Sequence, residues 1–274
     1  MADIDPHWDA LWLRYRDLLP GERPWNAVIE GLLGHRSVRA FTPEPMPAGT
    51  LETLVAAAQS AASSSNLQMW DVVAVEQAAR KDRLSLLAGD QSSIREAPLF
   101  LVWIADFSRA EAMAEAAGRT VEAIHYLEIT MTAIVDASLA AQNAMVAAES
   151  LGLGGCYIGA MRNQVDEVAA ELALPPRAFA LFGMAIGHPD PARPAAVKPR
   201  LPQGVVLHRE TYQSSGGLAL IADYDARLVA FQQEQGMAEV GWTRAVLSRL
   251  RNAKSLQGRE HNRQKLEARG FEFR

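Results

Sequence analysis

The feature that most constrains the fold of this chain is one long alanine-rich segment, residues 121–151. From Met131 onward this segment is apolar on almost every side. A helix without a polar face is buried in a protein core or crosses a membrane. The polar interruptions at Asp136, Gln142 and Asn143 favour the protein core. The segment therefore predicts a buried helix that forms the spine of a domain.

Four shorter segments have the composition of β-strands. Residues 98–105 and 179–186 are continuous apolar runs, a pattern typical of strands that are buried on both faces. Two more strands are predicted at residues 71–76 and 156–158. Helical segments outnumber these strands, and the two types do not alternate regularly. The pattern predicts an α+β fold rather than a doubly wound sheet.

Composition narrows the class of protein. The chain has 274 residues, a net charge of −5 and one cysteine, Cys156. This charge argues against general nucleic-acid binding. One cysteine excludes an intramolecular disulfide and favours a reducing compartment, and the scattered histidines lack the spacing of metal ligands. With an acidic N-terminus in place of a signal peptide, we expect a soluble cytoplasmic protein without a metal.

The first 24 residues form a prefix to the rest of the chain. Their apolar side chains fall on one face of a predicted helix, which Pro20 ends. The members of this face are Trp8, Leu11, Trp12 and Tyr15. Such a helix is either a lid or dimer brace, or a surface helix docked by its aromatic face. We predict an N-terminal helical extension over residues 1–24 and one domain over residues 25–274, which includes an extended arm at about 188–217 and a C-terminal helical region.

One short stretch has the chemistry of an anion site. His35, Arg36, Ser37 and Arg39 bring basic or protonatable side chains and a hydroxyl together, directly after a predicted short helix. Arginine matches phosphate oxygens with two parallel hydrogen bonds, and serine adds a neutral donor. Taken alone, the stretch is either an anion site or a solvated charged loop.

Two further segments supply compatible chemistry. Residues 63–66, three serines and an asparagine, offer hydroxyls and close backbone approach to a ligand, although a flexible loop has the same composition. Lys198 and Arg200 flank Pro199, so in an extended arm they point the same way. They would close on an anion held by residues 35–37. The sequence contains no GxGxxG after a strand, no P-loop and no GxSxG.

In chain order, the motifs HRSVRAF, SSSNLQ, GDQ, AAQNAMVAAESLGLGGCYIGAMRN and KPRLP resemble those of the flavin-dependent nitroreductase family. The resemblance covers residues 26–235 and is greatest to the branch of oxygen-insensitive NADPH nitroreductases and NADPH–FMN oxidoreductases. It implies a mostly antiparallel central sheet wrapped by helices, in an intertwined homodimer with exchanged chain ends. It also implies non-covalent FMN at the subunit interface. The implied reaction is ping-pong hydride transfer from NADPH or NADH to FMN, and then to nitroaromatics, quinones or free flavin.

The resemblance assigns roles to individual residues. The ribityl phosphate would be anchored by His35, Arg36, Ser37, Lys198 and Arg200. Arg39 would lie near the N1/O2 edge of the isoalloxazine ring, where reduction builds negative charge. The ring or ribityl chain would be contacted by Ser63, Ser64, Ser65, Gln91, Tyr157, Ile158 and Gly159. Since the flavin carries the chemistry, no catalytic protein residue is expected.

Departures from the family pattern bear on specificity. Ala160 stands where close relatives have a second glycine after the YIG motif, and Asn66 stands where they have a bulky aromatic residue that faces the substrate. Arg259 is a further candidate for the substrate pocket. The loop before Trp242 lacks the arginines that bind the 2′-phosphate of NADPH and carries Glu239 instead. We therefore expect the chain to use NADH, alone or together with NADPH.

Two alternatives to this function stay open. One is a specialised flavin enzyme of the same fold, such as a dehalogenase, a flavin-fragmenting enzyme or a biosynthetic dehydrogenase. The other is a flavin-binding dimer without turnover.

Overall fold

The computed structural model describes residues 7–17, 19, 21–213 and 217–274. The remaining positions fall in the predicted extension and arm, so the prediction that Pro20 ends the first helix lies outside the described residues. Contacts divide the chain into two compact units. The arm unit comprises Met1–Arg36 and Ala195–Leu256, and the sheet unit comprises Ser37–Pro194 and Gln257–Arg274. The predicted domain boundary between residues 24 and 25 stays a prediction.

The described helices, numbered in chain order, are α1 (Trp8–Tyr15), α2 (Ala27–Gly34), α3 (Thr50–Gln59), α4 (Ala78–Leu87), α5 (Ser92–Glu96), α6 (Ser108–Ala116), α7 (Leu127–Ser150), α8 (Val165–Glu171), α9 (Gln203–Val206), α10 (Leu218–Glu234), α11 (Trp242–Arg249) and α12 (Asn262–Ala268). Among the described residues, none of these helices is both long and apolar enough to cross a membrane.

The sheet unit contains one four-stranded sheet. Its strands are β1 (Trp70–Val75), β2 (Leu99–Asp106), β3 (Gly154–Ile158) and β4 (Ala178–Gly187). They lie in the order β1-β2-β4-β3, and each neighbouring pair is antiparallel. The two central strands are the two continuous apolar runs of the sequence. The predicted α+β class and the four predicted strands are confirmed.

Helix α7 packs with α3 against one face of this sheet. Leu101 and Trp103 of β2, Ala140 and Ala144 of α7 and Leu54 of α3 belong to one buried cluster. Each is fully or almost fully removed from solvent. The small alanine side chains let the helix lie close to the large residues of the strand. The predicted spine helix is confirmed on this face.

The opposite face of α7 corrects the prediction that this helix is buried almost all round. Leu127, Met131, Val135 and Leu139 recur every fourth residue and are 43–53% exposed. Residues with this spacing lie on one side of a helix. The helix also begins at Leu127 rather than at Val121, after a 3₁₀ turn. In this chain α7 therefore carries an exposed apolar face.

The second half of the HRSVR stretch extends the sheet at the β3 edge. The N–H of Val38 donates to the carbonyl oxygen of Gly155 at 2.9 Å, and Ser37 pairs with Gly155 in a parallel bridge. This approach requires glycine at position 154, because a Cβ there would lie 2.5 Å from Cγ2 of Val38. The glycines that follow the long helix thus hold residues 37–39 against the sheet.

The arm unit has its own small core. Tyr224, Leu228 and Phe231 of α10 are buried together, with Leu201 and Trp242 packed against them. The hydroxyl of Tyr224 donates to the carbonyl oxygen of Pro199 at 3.0 Å. This contact fixes the extended segment that carries Lys198 and Arg200.

Helix α1 has two buried side chains, and the two residues that follow it form ion pairs within the arm unit. Arg16 pairs with Glu234 at 2.8 Å, and Asp17 pairs with Arg227 at 2.7 Å. The buried residues of α1 are Leu11 and Arg14, whereas Trp12 is 37% exposed. Of the predicted apolar face, Leu11 is thus buried and Trp12 is partly exposed. The choice between a docked surface helix and a lid or dimer brace stays a prediction.

Candidate functional site

The boundary between the two compact units falls inside the HRSVR stretch, after Arg36. His35 and Arg36 belong to the arm unit together with Lys198 and Arg200. Ser37 and Arg39 belong to the sheet unit, as do the other predicted site residues. The site is therefore described as two sets of residues.

The backbone of the arm gives Lys198 and Arg200 a common direction. Val197 and Pro199 are buried, whereas Lys198 and Arg200 are exposed. This alternation is the one expected of an extended chain with one face packed on a core. The prediction that the two cations point the same way is confirmed.

Lys198 and Arg200 also line one cavity of about 520 Å³, whose wall includes Tyr15, Tyr224 and Trp242. The described lining residues include no carboxylate. Burial raises the pKa of the Tyr224 hydroxyl further above neutral pH, although the charge of Arg200 opposes this increase. A cavity with two cations and neutral polar groups attracts a compact anion.

Within the sheet unit, the bridge to β3 holds Arg39 so that its side chain is exposed while Val38 is buried. The charge of Arg39 reaches Cys156. Burial raises the pKa of this thiol, and the hydrogen bond with Ser93 and the charge of Arg39 only partly oppose the increase. Arg39 therefore brings positive charge to the edge formed by β3.

The serine loop is held by a carboxylate that the sequence reasoning missed. The hydroxyl of Ser63 donates to Oδ2 of Asp136 at 2.6 Å, and the N–H of Ser64 donates to Oδ1 at 3.1 Å. Asp136 is only 1% exposed. The sequence contained a signal for this contact. Asp136 has helical spacing from Ala133 and Ala140 and so falls on the buried face of α7, and a buried carboxylate requires hydrogen-bond partners.

The same loop has a strained backbone. Ser65, Asn66 and Gln68 adopt left-handed conformations with φ of 49°, 56° and 50°. Such conformations are uncommon for residues other than glycine and often occur at ligand sites. The hydroxyl of Ser63 is engaged with Asp136, whereas Ser64, Ser65 and Asn66 are exposed. The exposed members of the loop are the ones available to a ligand.

The turn that carries Gln91 is fixed through its backbone. The hydroxyl of Ser85 donates to the carbonyl oxygen of Gln91 at 2.8 Å. Asp90 precedes it with φ of 60° and pairs with Arg95 at 2.7 Å. The Gln91 side chain is exposed at the start of α5.

Asn163 links three of the predicted elements within the sheet unit. Its Oδ1 accepts a 2.7 Å hydrogen bond from Nε of Arg259, and its N–H donates to the carbonyl oxygen of Ala160 at 2.9 Å. A Cβ built on Gly89 would lie 3.8 Å from Nδ2 of Asn163. The sequence predicts Asn163 as the N-cap of the helix that follows. This prediction is wrong, because Gln164 is the N-cap residue of α8 and the side chain of Asn163 binds Arg259 instead. Asn163 brings together Arg259, the Gly159–Arg162 turn and the turn before Gln91.

Strand β3 presents one exposed aromatic residue. Tyr157 is 37% exposed, while Cys156 and Ile158 on either side are buried. The Tyr157 ring contacts Phe182 edge to face, with 5.5 Å between centroids. Burial raises the pKa of Tyr157, so the phenol is neutral near pH 7. Gly159 follows directly, so a ring and a backbone turn lie next to each other.

Two family models match the chain: the nitroreductase family over residues 32–188 and the nitroreductase family C-terminal domain over residues 198–274. The chain belongs to the nitroreductase family. The family and the branch that the motifs indicated are thereby confirmed, since FMN reductases and NADPH nitroreductases are among the similar proteins.

This nitroreductase is 38% identical over 228 residues to the FMN reductase (NADPH) of Bacillus subtilis, which covers 81% of this chain and 91% of that protein. It is 38% identical over 211 residues to the oxygen-insensitive NADPH nitroreductase of Salmonella typhimurium. That match covers 77% of this chain and 85% of the Salmonella protein. The solved structure of B. megaterium NfrA2 has a TM-score of 0.85 and 37% identity, and covers 91% of this chain and 100% of that one.

The residues of this nitroreductase fit the chemical groups of FMN. The exposed cations of the arm unit suit a phosphate. The sheet unit offers exposed hydroxyls, the amide of Gln91, an exposed aromatic ring and a backbone turn, which suit a polar planar ring. Within the part of the chain that the structure describes, no group of three acidic, histidine or cysteine side chains could hold a metal ion.

Proposed function

We propose that this chain is an NAD(P)H-dependent flavin oxidoreductase with FMN as its non-covalent cofactor. When bound, FMN would supply ping-pong hydride transfer from the nicotinamide to a nitroaromatic, a quinone or free flavin. The observation that carries the proposal is the cavity that Lys198 and Arg200 share in a nitroreductase-family chain. Relatives named as FMN reductases and NADPH nitroreductases support the reaction class.

The phosphate of FMN would be held by the basic residues of the arm unit and by the serine next to them along the chain. Lys198 and Arg200 supply two exposed cations, Arg36 supplies a third, and His35 and Ser37 add donors. A phosphate dianion at such a cluster gains charge-assisted hydrogen bonds, and the arginines offer bidentate geometry. These five residues set the preference for a phosphorylated flavin.

The isoalloxazine and ribityl groups are contacted by residues of the sheet unit. Arg39 would lie near the N1/O2 edge, where its charge would stabilise the negative charge of the reduced flavin. Ser63, Ser64 and Ser65 line the ring or ribityl chain, with the Ser63 hydroxyl holding the loop to Asp136. Gln91 would hydrogen-bond the pyrimidine edge. The ring would be contacted by Tyr157, Ile158 and Gly159.

The acceptor is bound where this chain departs from its family pattern. Asn66 is exposed on a strained loop, and Arg259 is oriented by Asn163. A small polar residue at position 66 leaves more room for the acceptor than an aromatic one. Ala160 in the turn after Gly159 alters the backbone next to the ring.

We also propose a homodimer with exchanged chain ends and FMN at its interface. The support is the exposed apolar face of α7, defined by Leu127, Met131, Val135 and Leu139. Large contiguous apolar faces on soluble proteins mark contact surfaces. A second copy of the chain is the partner that would cover this face.

A cytoplasmic location is consistent with this function. The only cysteine, Cys156, is a buried free thiol, which suits a reducing compartment. The proposed reductants, NADH and NADPH, are regenerated by cytoplasmic metabolism.

The nicotinamide preference follows from the loop before Trp242. Residues 235–240 are exposed, and the loop carries Glu239 and no arginine. A carboxylate disfavours the 2′-phosphate of NADPH and suits the ribose hydroxyl of NADH. We therefore propose that NADH serves as a reductant, alone or together with NADPH.

The test is purification followed by an acceptor panel with both nicotinamides. The protein is expected to be yellow, and heat should release a flavin that co-migrates with FMN on chromatography. Steady-state turnover should be observed with NADH and with at least one nitroaromatic or quinone. A colourless protein that fails to bind added FMN would contradict the function, and a strong preference for NADPH would contradict the nicotinamide proposal alone.

A further inference from the structure

Arg14 of α1 is a charged residue with unusual burial. Its exposed fraction is 6%, and arginine is rarely so fully buried unless its charge is compensated. The guanidinium donates hydrogen bonds to three carbonyl oxygens: that of Leu33 at 2.7 Å, that of His35 at 2.7 Å and that of Lys198 at 3.0 Å. These contacts all lie within the arm unit.

The backbone of Arg14 adds a fourth connection. Its carbonyl oxygen accepts a hydrogen bond from the N–H of Arg200 at 2.9 Å. One residue of α1 is therefore bonded to the main chain of His35, of Lys198 and of Arg200. These are three of the residues proposed to hold the phosphate.

The physical chemistry of these contacts favours rigidity. The carbonyls of Leu33 and His35 lie at the C-terminal end of α2, where unsatisfied carbonyl groups carry partial negative charge. The planar guanidinium has its donors in a fixed arrangement, so it holds the acceptors at fixed relative positions. If the main chain at His35 and Lys198 shifts, the side chains that extend from it shift too.

Arg14 lies outside the part of the chain that the family models match, which begins at residue 32. Helix α1 therefore lies outside the residues that the two family models match.

We propose that Arg14 is a positioning residue for the phosphate end of the cofactor site. It ties the backbone of His35 to that of Lys198 and Arg200, so that their side chains converge on the phosphate of FMN. This inference rests on the proposed function. It gives the N-terminal helix a specific task, which is to make the protein select FMN over a flavin without a phosphate.

The test compares the affinity of apoprotein for FMN and for riboflavin, which differ only in the phosphate. Both are measured by quenching of flavin fluorescence. In Arg14→Met the affinity for FMN should fall about tenfold or more, because hydrogen bonds to a charged group are lost and the cluster loosens. The affinity for riboflavin should change little, so the FMN-to-riboflavin ratio falls.

Two further variants separate positioning from general damage. Arg16→Gln, two residues further along, removes the ion pair with Glu234 but none of the bonds to His35, Lys198 or Arg200. It should keep the ratio of the wild type. Arg14→Lys keeps the charge, but an ammonium cannot reproduce the planar fork. The ratio of FMN affinity to riboflavin affinity should therefore be lower than in the wild type. If Arg14→Met does not fold, Arg14→Lys tests the inference in its place.

The outcomes distinguish the inference from the function on which it rests. A wild-type protein that binds neither flavin would sink the proposed function. A wild type that prefers FMN, combined with Arg14 variants that keep that preference, would overturn the inference alone. Equal weakening of FMN and riboflavin in those variants would also overturn it, since a merely structural role acts on both ligands.

Discussion

The hydroxyl of Ser63 donates a 2.6 Å hydrogen bond to the buried carboxylate of Asp136, and the same oxygen accepts the N–H of Gln68 at 2.9 Å. Ser63→Ala removes both bonds. It should lower the free energy of unfolding by about 1–3 kcal/mol, because a buried carboxylate oxygen is left without a partner. Urea unfolding would measure this loss. The affinity for FMN and the affinity for riboflavin should fall by the same factor, since the loop is not proposed to contact the phosphate.

The neighbouring serine provides the control for that prediction. The Ser64 side chain is exposed, and its bond to Asp136 comes from the backbone N–H. Ser64→Ala should therefore change unfolding by no more than about 0.5 kcal/mol. Equal destabilisation by the two substitutions would show that the Asp136 contact does not hold the loop.

Arg39 and the phosphate cluster should be separable by mutation. Arg39→Ala should retain FMN better than the double variant Arg36→Ala with Arg200→Ala, yet be reduced by the nicotinamide about tenfold more slowly, because a cation that stabilises developing charge is lost. Arg39→Lys should recover part of the rate. Fluorescence titration and stopped-flow absorbance measure the two effects. Equal loss of FMN in the Arg39 and double variants would contradict the assigned roles.

The apolar face of α7 predicts a substitution that dissociates the dimer. Val135 is 53% exposed on that face. Val135→Asp should yield monomers, because an unpaired charge would be buried at the interface. Met113→Asp, at a residue 62% exposed on α6, should leave the dimer intact. Light scattering after size exclusion reports the mass, and a wild-type monomer or an unaffected Val135 variant would rule out this interface.

Asp71 in the edge strand β1 predicts a pH dependence of stability. Burial and a hydrogen bond with Asp106 raise its pKa from 3.8 to about 6, although Arg109 lowers it. A pKa raised by folding means that ionisation favours the unfolded state. This contribution to stability is complete below about pH 4 and is lost as the pH rises through about 6.

The side chain of Asp71→Asn cannot ionise. The melting temperature of this variant should therefore rise relative to that of the wild type as the pH rises through that window. Asp223→Asn changes an exposed aspartate of α10 and should show no such trend. A difference between Asp71→Asn and wild type that is flat with pH would show that the carboxyl of Asp71 is not perturbed.

Local sequence patterns predicted the helices and strands, and the order of the motifs indicated the family. The strands, the spine helix and the common direction of Lys198 and Arg200 follow from periodicity, which a sequence displays directly. Three features were not visible there. The buried Arg14 and the Asp136–Ser63 contact depend on partners distant in sequence. The exposed face of α7 depends on which side of the helix packs against the sheet, and the apolar composition of the helix does not indicate that side.

The most direct test of the account is an anaerobic titration of the purified protein with NADH and with NADPH, monitored by the visible absorption of the flavin. We expect NADH to bleach the yellow colour without an acceptor present, with about one equivalent sufficient for one bound FMN, since each nicotinamide delivers one hydride. A nitroaromatic or quinone added afterwards should restore the colour. A bound flavin that neither nicotinamide bleaches, or that stays bleached with every acceptor, would contradict the proposed oxidoreductase.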